Sequence, residues 1–378
     1  MNDMKKIIIT VLLALLFAAC NKESGPADGG GTVDLRIVPG VVEANVSQQT
    51  RGRIDGTEYH AFPTGSRIGL TARKSSLAAG PYNVIHEIYE NFWMQYGGTT
   101  WNYYVDGNNN GILFSGFSDW QHVRLYGYYP YNSAVTDFSA VPFRIADMSG
   151  ADEAEASEHQ VSVDYMVAMP ADKDLTDPGA AKYVDLTMYH LMTAIDVGLR
   201  RSNVGPPIVL TGAIFEIADV DAGANRSFTV SGTYDALNPN LANLQSSIAP
   251  DDRVKKLTVT YPKGSANKTI TSTSSYQESP LIIMPELRYV AGTDATVTVT
   301  LLFEDSDGAP WVFDTLGAGV NPSISFKLSE VDGGVGLQAG YVYQVRAQVG
   351  NYVKFGGAPK IVQETIDYDD ENKEDIKI

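Results

Sequence analysis

Apolar and polar side chains alternate in short runs along most of the chain, and glycine, proline or asparagine interrupts the runs. That pattern predicts half-buried β-strands joined by turns. Val33, Leu35 and Ile37 share one face, Pro39-Gly40 turns, and Val41 and Val42 resume. Arg67 to Arg73 carries Ile68 and Leu70 on one face. An aromatic-rich stretch runs from Ile85 to Tyr96, Gly97-Gly98 breaks it, and Trp101 to Val105 continues. Ile112-Leu113-Phe114 follows a polar turn, and Val123 to Tyr131 is a strand stopped by Pro130. Asp147 to Gln160 is acidic and alanine-rich, a loop or one short helix. Tyr165 to Ala168 is a short apolar run, and Val184 to Leu199 contains another strand.

Near Arg200 the pattern turns polar and ends in Gly205-Pro206-Pro207, a stiff connector that disfavours helix and marks a domain boundary. Beyond it, strands are expected at Val209 to Ile217, Val254 to Tyr261, Leu281 to Met284 and Thr296 to Phe303. Trp311 to Phe313, Ser323 to Leu328 and Tyr341 to Val349 complete the set. This half contains no long helical period, so the pattern predicts an all-β chain of sandwich domains in series. A prior of roughly 150 residues per domain agrees, since it puts about two domains in a chain of this length. The expected organisation is a leader over 1–19, a glycine-rich tether over 20–31, sandwiches over 32–203 and 204–350, and an acidic tail over 351–378.

Charge and composition remove several functions. The 28 basic against 45 acidic residues, a net charge of −17, leave no basic stripe for nucleic acid. With 44% hydrophobic and only 19% charged residues, bulk disorder is also excluded. The one cysteine, Cys20, rules out an intrachain disulfide or a cysteine-rich metal site. It follows Lys5-Lys6, an apolar run from Ile7 to Phe17 too short to span a bilayer, and Ala18-Ala19. A small pair followed by cysteine resembles the lipobox of bacterial lipoproteins, in which cleavage precedes the cysteine and its thiol is lipidated. Cys20 is therefore expected to be an anchor. Lys22-Glu23 resembles a surface-export signal of Bacteroidia lipoproteins.

No catalytic, cofactor or metal site is expected. Asp106, Asn108, Asn110 and Gly111 open like a calcium loop, but Phe117 stands where a bidentate glutamate is required, so a hairpin turn fits better. Asp305 to Gly308 reads the same way. The five histidines show no metal spacing, and His190, in an apolar run, reads as a core residue. The aromatic runs Phe92-Trp93, Trp101 to Tyr104 and Tyr126 to Tyr131 suit sugar stacking, but packing within the sandwich uses the same residues and is favoured.

Five fragments then occur in a telling order: Thr50-Arg51-Gly52, Phe62 to Leu70, Tyr126 to Tyr131, Asp164 to Ala168 and Tyr189 to Ala194, with Gly340-Tyr341-Val342-Tyr343 near the end. With the lipobox, they resemble the fimbrillin-like proteins of Bacteroidia, subunits of the type V pilus. The resemblance implies two transthyretin-like sandwiches and travel as a lipoprotein to the outer membrane surface. It further implies a trypsin-like protease that cuts after an arginine and removes the first strand, and a neighbouring subunit that fills the groove. Arg51, or else Arg53, is the expected cleavage site, because its surroundings are polar and glycine-containing, whereas Arg36 lies inside a strand. The tail over 351–378 is a candidate donor strand. The alternative is a surface glycan-binding lipoprotein that never polymerises.

Overall fold

The computed structural model describes residues 32–41, 53–54, 57–58 and, with gaps, 62–361. Its principal strands are, in chain order, β1 (Thr32–Val41), β2 (Arg67–Ser75), β3 (Phe92–Tyr96), β4 (Trp101–Tyr104), β5 (Ile112–Ser115), β6 (His122–Tyr129) and β7 (Val141–Arg144). Then come β8 (Met166–Ala168), β9 (Tyr183–His190), β10 (Met192–Arg201), β11 (Ile208–Asp219), β12 (Phe228–Tyr234), β13 (Ile248–Val254) and β14 (Lys256–Thr260). The last are β15 (Ile282–Pro285), β16 (Ala295–Glu304), β17 (Ser323–Lys327), β18 (Val342–Val349), β19 (Val353–Phe355) and β20 (Lys360–Ile361). The architecture is all-β, as the alternation predicts. β16 shows it most clearly: Ala295, Val297, Val299, Leu301 and Phe303 are buried, and the residues between them are half-buried.

The large N-terminal sheet runs in the order β4-β3-β2-β6-β8-β9-β1-β5. One face carries Ile68, Leu70, Phe92, Met94, Leu125, Met166, Leu186 and Met188, which form their own apolar cluster. The other, more polar face carries Thr71, Arg73 and Arg124 beside the buried Tyr126, Tyr128 and Val167, which belong to the main core. In the C-terminal half, β10 pairs with β18 in parallel and with β15 antiparallel. A second sheet there runs β14-β11-β16-β17. Ile195, Val197, Tyr343 and Val345 pack in one core with Phe215, Val297 and Leu301 of that second sheet.

Two findings differ from the sequence expectations. First, β10 precedes the expected boundary at 203/204, yet it hydrogen-bonds into the sheet of the C-terminal half. The switch of partners falls between His190 and Met192, a whole strand before Pro206-Pro207. Second, Trp311 to Phe313 is not a strand. Phe313 is fully buried and meets the ring of Phe303 edge-on at 5.8 Å, so it acts as an apolar plug. Asp305 to Gly308 does turn: the Asp305 carboxylate accepts from the N–H groups of Asp307 and Ala309, and Gly308 takes φ +83°.

A further feature went unread in the sequence. β7, from the N-terminal half, pairs with β12, which pairs with β13, so one three-stranded sheet draws on both halves. Gly232 sits at a register shift in this sheet, where a Cβ would stand 2.3 Å from the carbonyl oxygen of Ala249. Beneath the sheet, Tyr128, Phe138 and Phe143 join Phe228 and Tyr234 in the main core.

Candidate assembly site

The first strand is held in two different ways along its length. Thr32 to Leu35 runs antiparallel to β5, with Thr32 opposite Ser115 and Leu35 opposite Ile112. Arg36 to Val41 runs parallel to β9, with Arg36 opposite Tyr183 and Val41 opposite Met188. On its other side β9 is held by β8. Among the described residues, β5 has no strand partner other than β1. Taking β1 away would thus leave the backbone donors and acceptors of β9 and β5 open along two edges.

Of the sequence-derived site residues, Cys20 and Arg51 lie outside the described residues. Arg53 belongs to a two-residue ladder in which Arg53 and Ile54 face Glu58 and Thr57. Arg36 lies within β1, as expected. The segment Asp106 to Gly111, expected to be a hairpin turn, also lies outside them. Among the described residues, no group of three or more His, Cys, Asp or Glu side chains could hold a metal, and no helix is long and apolar enough to cross a membrane.

The tail does not leave the body at once. β19 and β20 both pair antiparallel with the outer edge of β18: Phe355 lies opposite Ala347, and Ile361 opposite Tyr343. Residues beyond 361 lie outside the described set.

At the partner switch, His190 Nδ1 stands 2.8 Å from Asp164 Oδ1, and both side chains are buried. Leu191 N–H donates to the Tyr165 carbonyl, and Gly340 N–H donates to that of Met192. Three of the sequence fragments that resemble the family therefore meet at one junction. His190 is a core residue whose Nδ1 has a structural partner.

The aromatic runs divide between the two faces of the N-terminal sheet. Phe62 packs edge-on against Trp101 and Tyr129, at 5.1 and 5.3 Å, on the apolar face. On the polar face Tyr104 stacks on Trp93 at 3.9 Å, and Arg67, from the strand on the other side, lies 4.4 Å from the indole centre. Trp93 is thus engaged by both neighbouring strands. Tyr128 is fully buried on this face, and burial pushes its phenol above the ordinary range. Burial raises Tyr234 well above its ordinary value too, and its buried hydroxyl has no hydrogen-bond partner among the described residues.

These features define an all-β sandwich protein that presents sheet edges and surfaces. The chain belongs to the fimbrillin-like family, whose model matches residues 50–366. That is a family of fimbrial proteins and not of enzymes, and it gives this chain a fimbrial role at the cell surface. Among solved structures, the chain is similar to a candidate cell adhesion protein of Bacteroides ovatus, at 14% identity and TM-score 0.48, covering 89% of this chain and 99% of that one. It is also similar to a fimbrial assembly protein of Parabacteroides distasonis, at 10% identity and TM-score 0.38, covering 86% and 95%. A third is a candidate polysaccharide-binding protein of Bacteroides thetaiotaomicron, at 10% identity and TM-score 0.31, covering 87% and 99%. No curated protein matches the chain in sequence.

Proposed function

We propose that the chain is a fimbrial subunit that assembles by strand exchange after its first strand is removed. The observation that supports this reading most is the position of β1. It pairs with β9 and β5, its two strand partners among the described residues, and the polar segment after it contains Arg51 and Arg53. A trypsin-like protease that cuts there releases the whole of β1. A strand from a second subunit then restores the hydrogen bonds of β9 and β5. In this reading Cys20 carries the lipid that holds the precursor at the outer membrane until the cut. In this reading the donor is the part of the tail beyond residue 361, since β19 and β20, at its start, pair with the edge of β18.

The test replaces both arginines. Arg51→Ala with Arg53→Ala should give a folded, lipidated precursor that resists a trypsin-like protease at this point. Unboiled gels should show a ladder for the parent and a single monomer band for the variant. A variant that forms ladders as well as the parent would overturn strand removal at this segment.

A further inference from the structure

Above the polar face of the N-terminal sheet, two segments approach each other and leave a cleft of about 300 Å³. One segment is Glu90-Asn91, just before β3, and the other is the loop from Tyr131 to Phe138, between β6 and β7. We propose that this cleft binds one neutral pyranose unit of a glycan and is the adhesive site of the subunit. The proposal rests on the fimbrial reading for its purpose, though not for its chemistry.

The cleft is fastened from below. Asn91 has φ +51°, a conformation that residues other than glycine seldom adopt, and its side chain explains why it holds. Its Nδ2 donates to the Asn132 carbonyl at 2.9 Å, and its Oδ1 accepts from the Tyr128 hydroxyl at 2.7 Å. The Tyr128 oxygen in turn accepts from the Asn132 N–H at 3.1 Å. One buried phenol thus ties both walls together. The Tyr128 ring can lie there because residue 69 is glycine, where a Cβ would stand 2.3 Å from the ring. Phe138 closes the floor, edge-on to Tyr128 at 5.2 Å, and its carbonyl accepts from Ala236 N–H of the C-terminal half. The walls are therefore set before any ligand arrives, which lowers the entropic cost of binding.

The lining is of mixed character. Tyr131 offers an aromatic ring, and Val135 and Phe138 an apolar floor. The hydroxyls of Tyr131, Ser133 and Thr136 make no hydrogen bond to the described residues. Glu90 Oε1 accepts from the Thr71 hydroxyl, and its second oxygen makes no hydrogen bond to the described residues. An aromatic face beside a carboxylate oxygen and several hydroxyls matches a sugar ring, which has an apolar C–H face and a rim of hydroxyls. The volume lies at the lower end of ligand pockets, roughly 300–1,000 Å³, and suits a single ring. The carboxylate within the lining disfavours an anionic ligand. A peptide added as a strand needs an open sheet edge, and these walls are loops. Trp93, the more obvious platform, is already engaged by Tyr104 and Arg67, and its indole backs the Tyr131 ring, tilted by 33° at 6.0 Å.

The test is saturation-transfer NMR on the full chain, with the methyl glycosides of glucose, mannose, galactose and N-acetylglucosamine as probes. At least one should receive saturation, strongest on the C–H protons of one ring face. Tyr131→Ala should weaken binding roughly tenfold. Glu90→Gln, which preserves shape, should also weaken it, and Tyr104→Ala should not. Circular dichroism checks that each variant is folded. If no probe receives saturation, or if Tyr131→Ala and Glu90→Gln both bind like the parent, the proposal is wrong. If Tyr104→Ala alone abolishes binding, the sugar sits on the outer stack and the assignment to the cleft is overturned. Gel ladders separate the two readings: variants that still form ladders but bind no sugar confirm this site and leave assembly intact. A parent that binds sugar but never forms ladders removes the fimbrial reading alone.

Discussion

The two halves of the chain build one stretch of sheet to the same plan but draw its pieces from opposite ends of the sequence. In the N-terminal half the order β8-β9-β1-β5 places a parallel pair, β9 with β1, between antiparallel neighbours. In the C-terminal half β15-β10-β18-β19 repeats it, with β10 and β18 as the parallel pair. The parallel partner is the first described strand in one half and one of the last in the other. β18 is anchored by its own side chains: Val342, Tyr343, Val345, Ala347 and Val349 are all buried. It is also covered by the chain that follows it. β1 is followed instead by a polar segment with candidate cleavage sites. In the proposed reading, a strand embedded at both ends is a permanent part of its core, whereas one with a cuttable exit is the one exchanged.

The largest effect should come from attacking the permanent member. Tyr343 is fully buried, and its hydroxyl donates to the Gly336 carbonyl and accepts from Gln338 N–H. Tyr343→Ala should cost about 3–5 kcal/mol and lower the urea midpoint of the C-terminal half. A shift no larger than that caused by cutting out β1 would break the contrast between the two strands.

The next effect compares one substitution in both halves. Gly69→Ala meets the Tyr128 ring, which two hydrogen bonds and Phe138 hold in place, and should cost about 1–3 kcal/mol. Gly198→Ala meets the far end of Arg346, which can swing aside, so its denaturation midpoint should move less. Equal losses would show that the cleft is no stiffer than the outer face of the C-terminal sheet.

The smallest effect has the opposite sign and falls where the halves meet. Tyr234→Phe removes a buried hydroxyl that has no partner among the described residues and leaves the ring in place. It should raise stability by about 1 kcal/mol, read as a higher melting temperature in calorimetry. A loss of stability would mean that the hydroxyl has a partner after all, for instance a buried water.

The sequence was most legible where one face of a strand meets the core and the other meets water. β2, β6, β11, β16 and β18 were all read from alternation, within a few residues of their ends. β10 was harder, because it is buried along almost its whole length and loses its period. The switch of partners at Leu191 therefore stayed hidden inside one apolar run, and the proline pair lies a whole strand beyond it. β12 alternates cleanly through Phe228, Val230 and Tyr234 and was simply passed over, while β13 is exposed and carries Pro250 and two aspartates, so it has no apolar signal. The cleft was illegible for another reason. Its members Glu90, Asn91, Tyr131 and Ser133 come together only through Tyr128, and nothing in their spacing announces that contact.

The three-stranded sheet shared between the halves has a consequence for a filament under tension. A fibre of subunits hauled by flowing liquid transmits load through every joint in the chain, and a joint made of one connector would stretch like a hinge. Here β7 is stitched edge to edge into β12, with Val141 opposite Tyr234 and Arg144 opposite Ser231. Depending on the direction of pull, these bonds break together in shear or one after another like a zip. A single-molecule stretching trace that shows the two halves yielding in one event, with no early extension between them, would place this seam among the strongest parts of the rod.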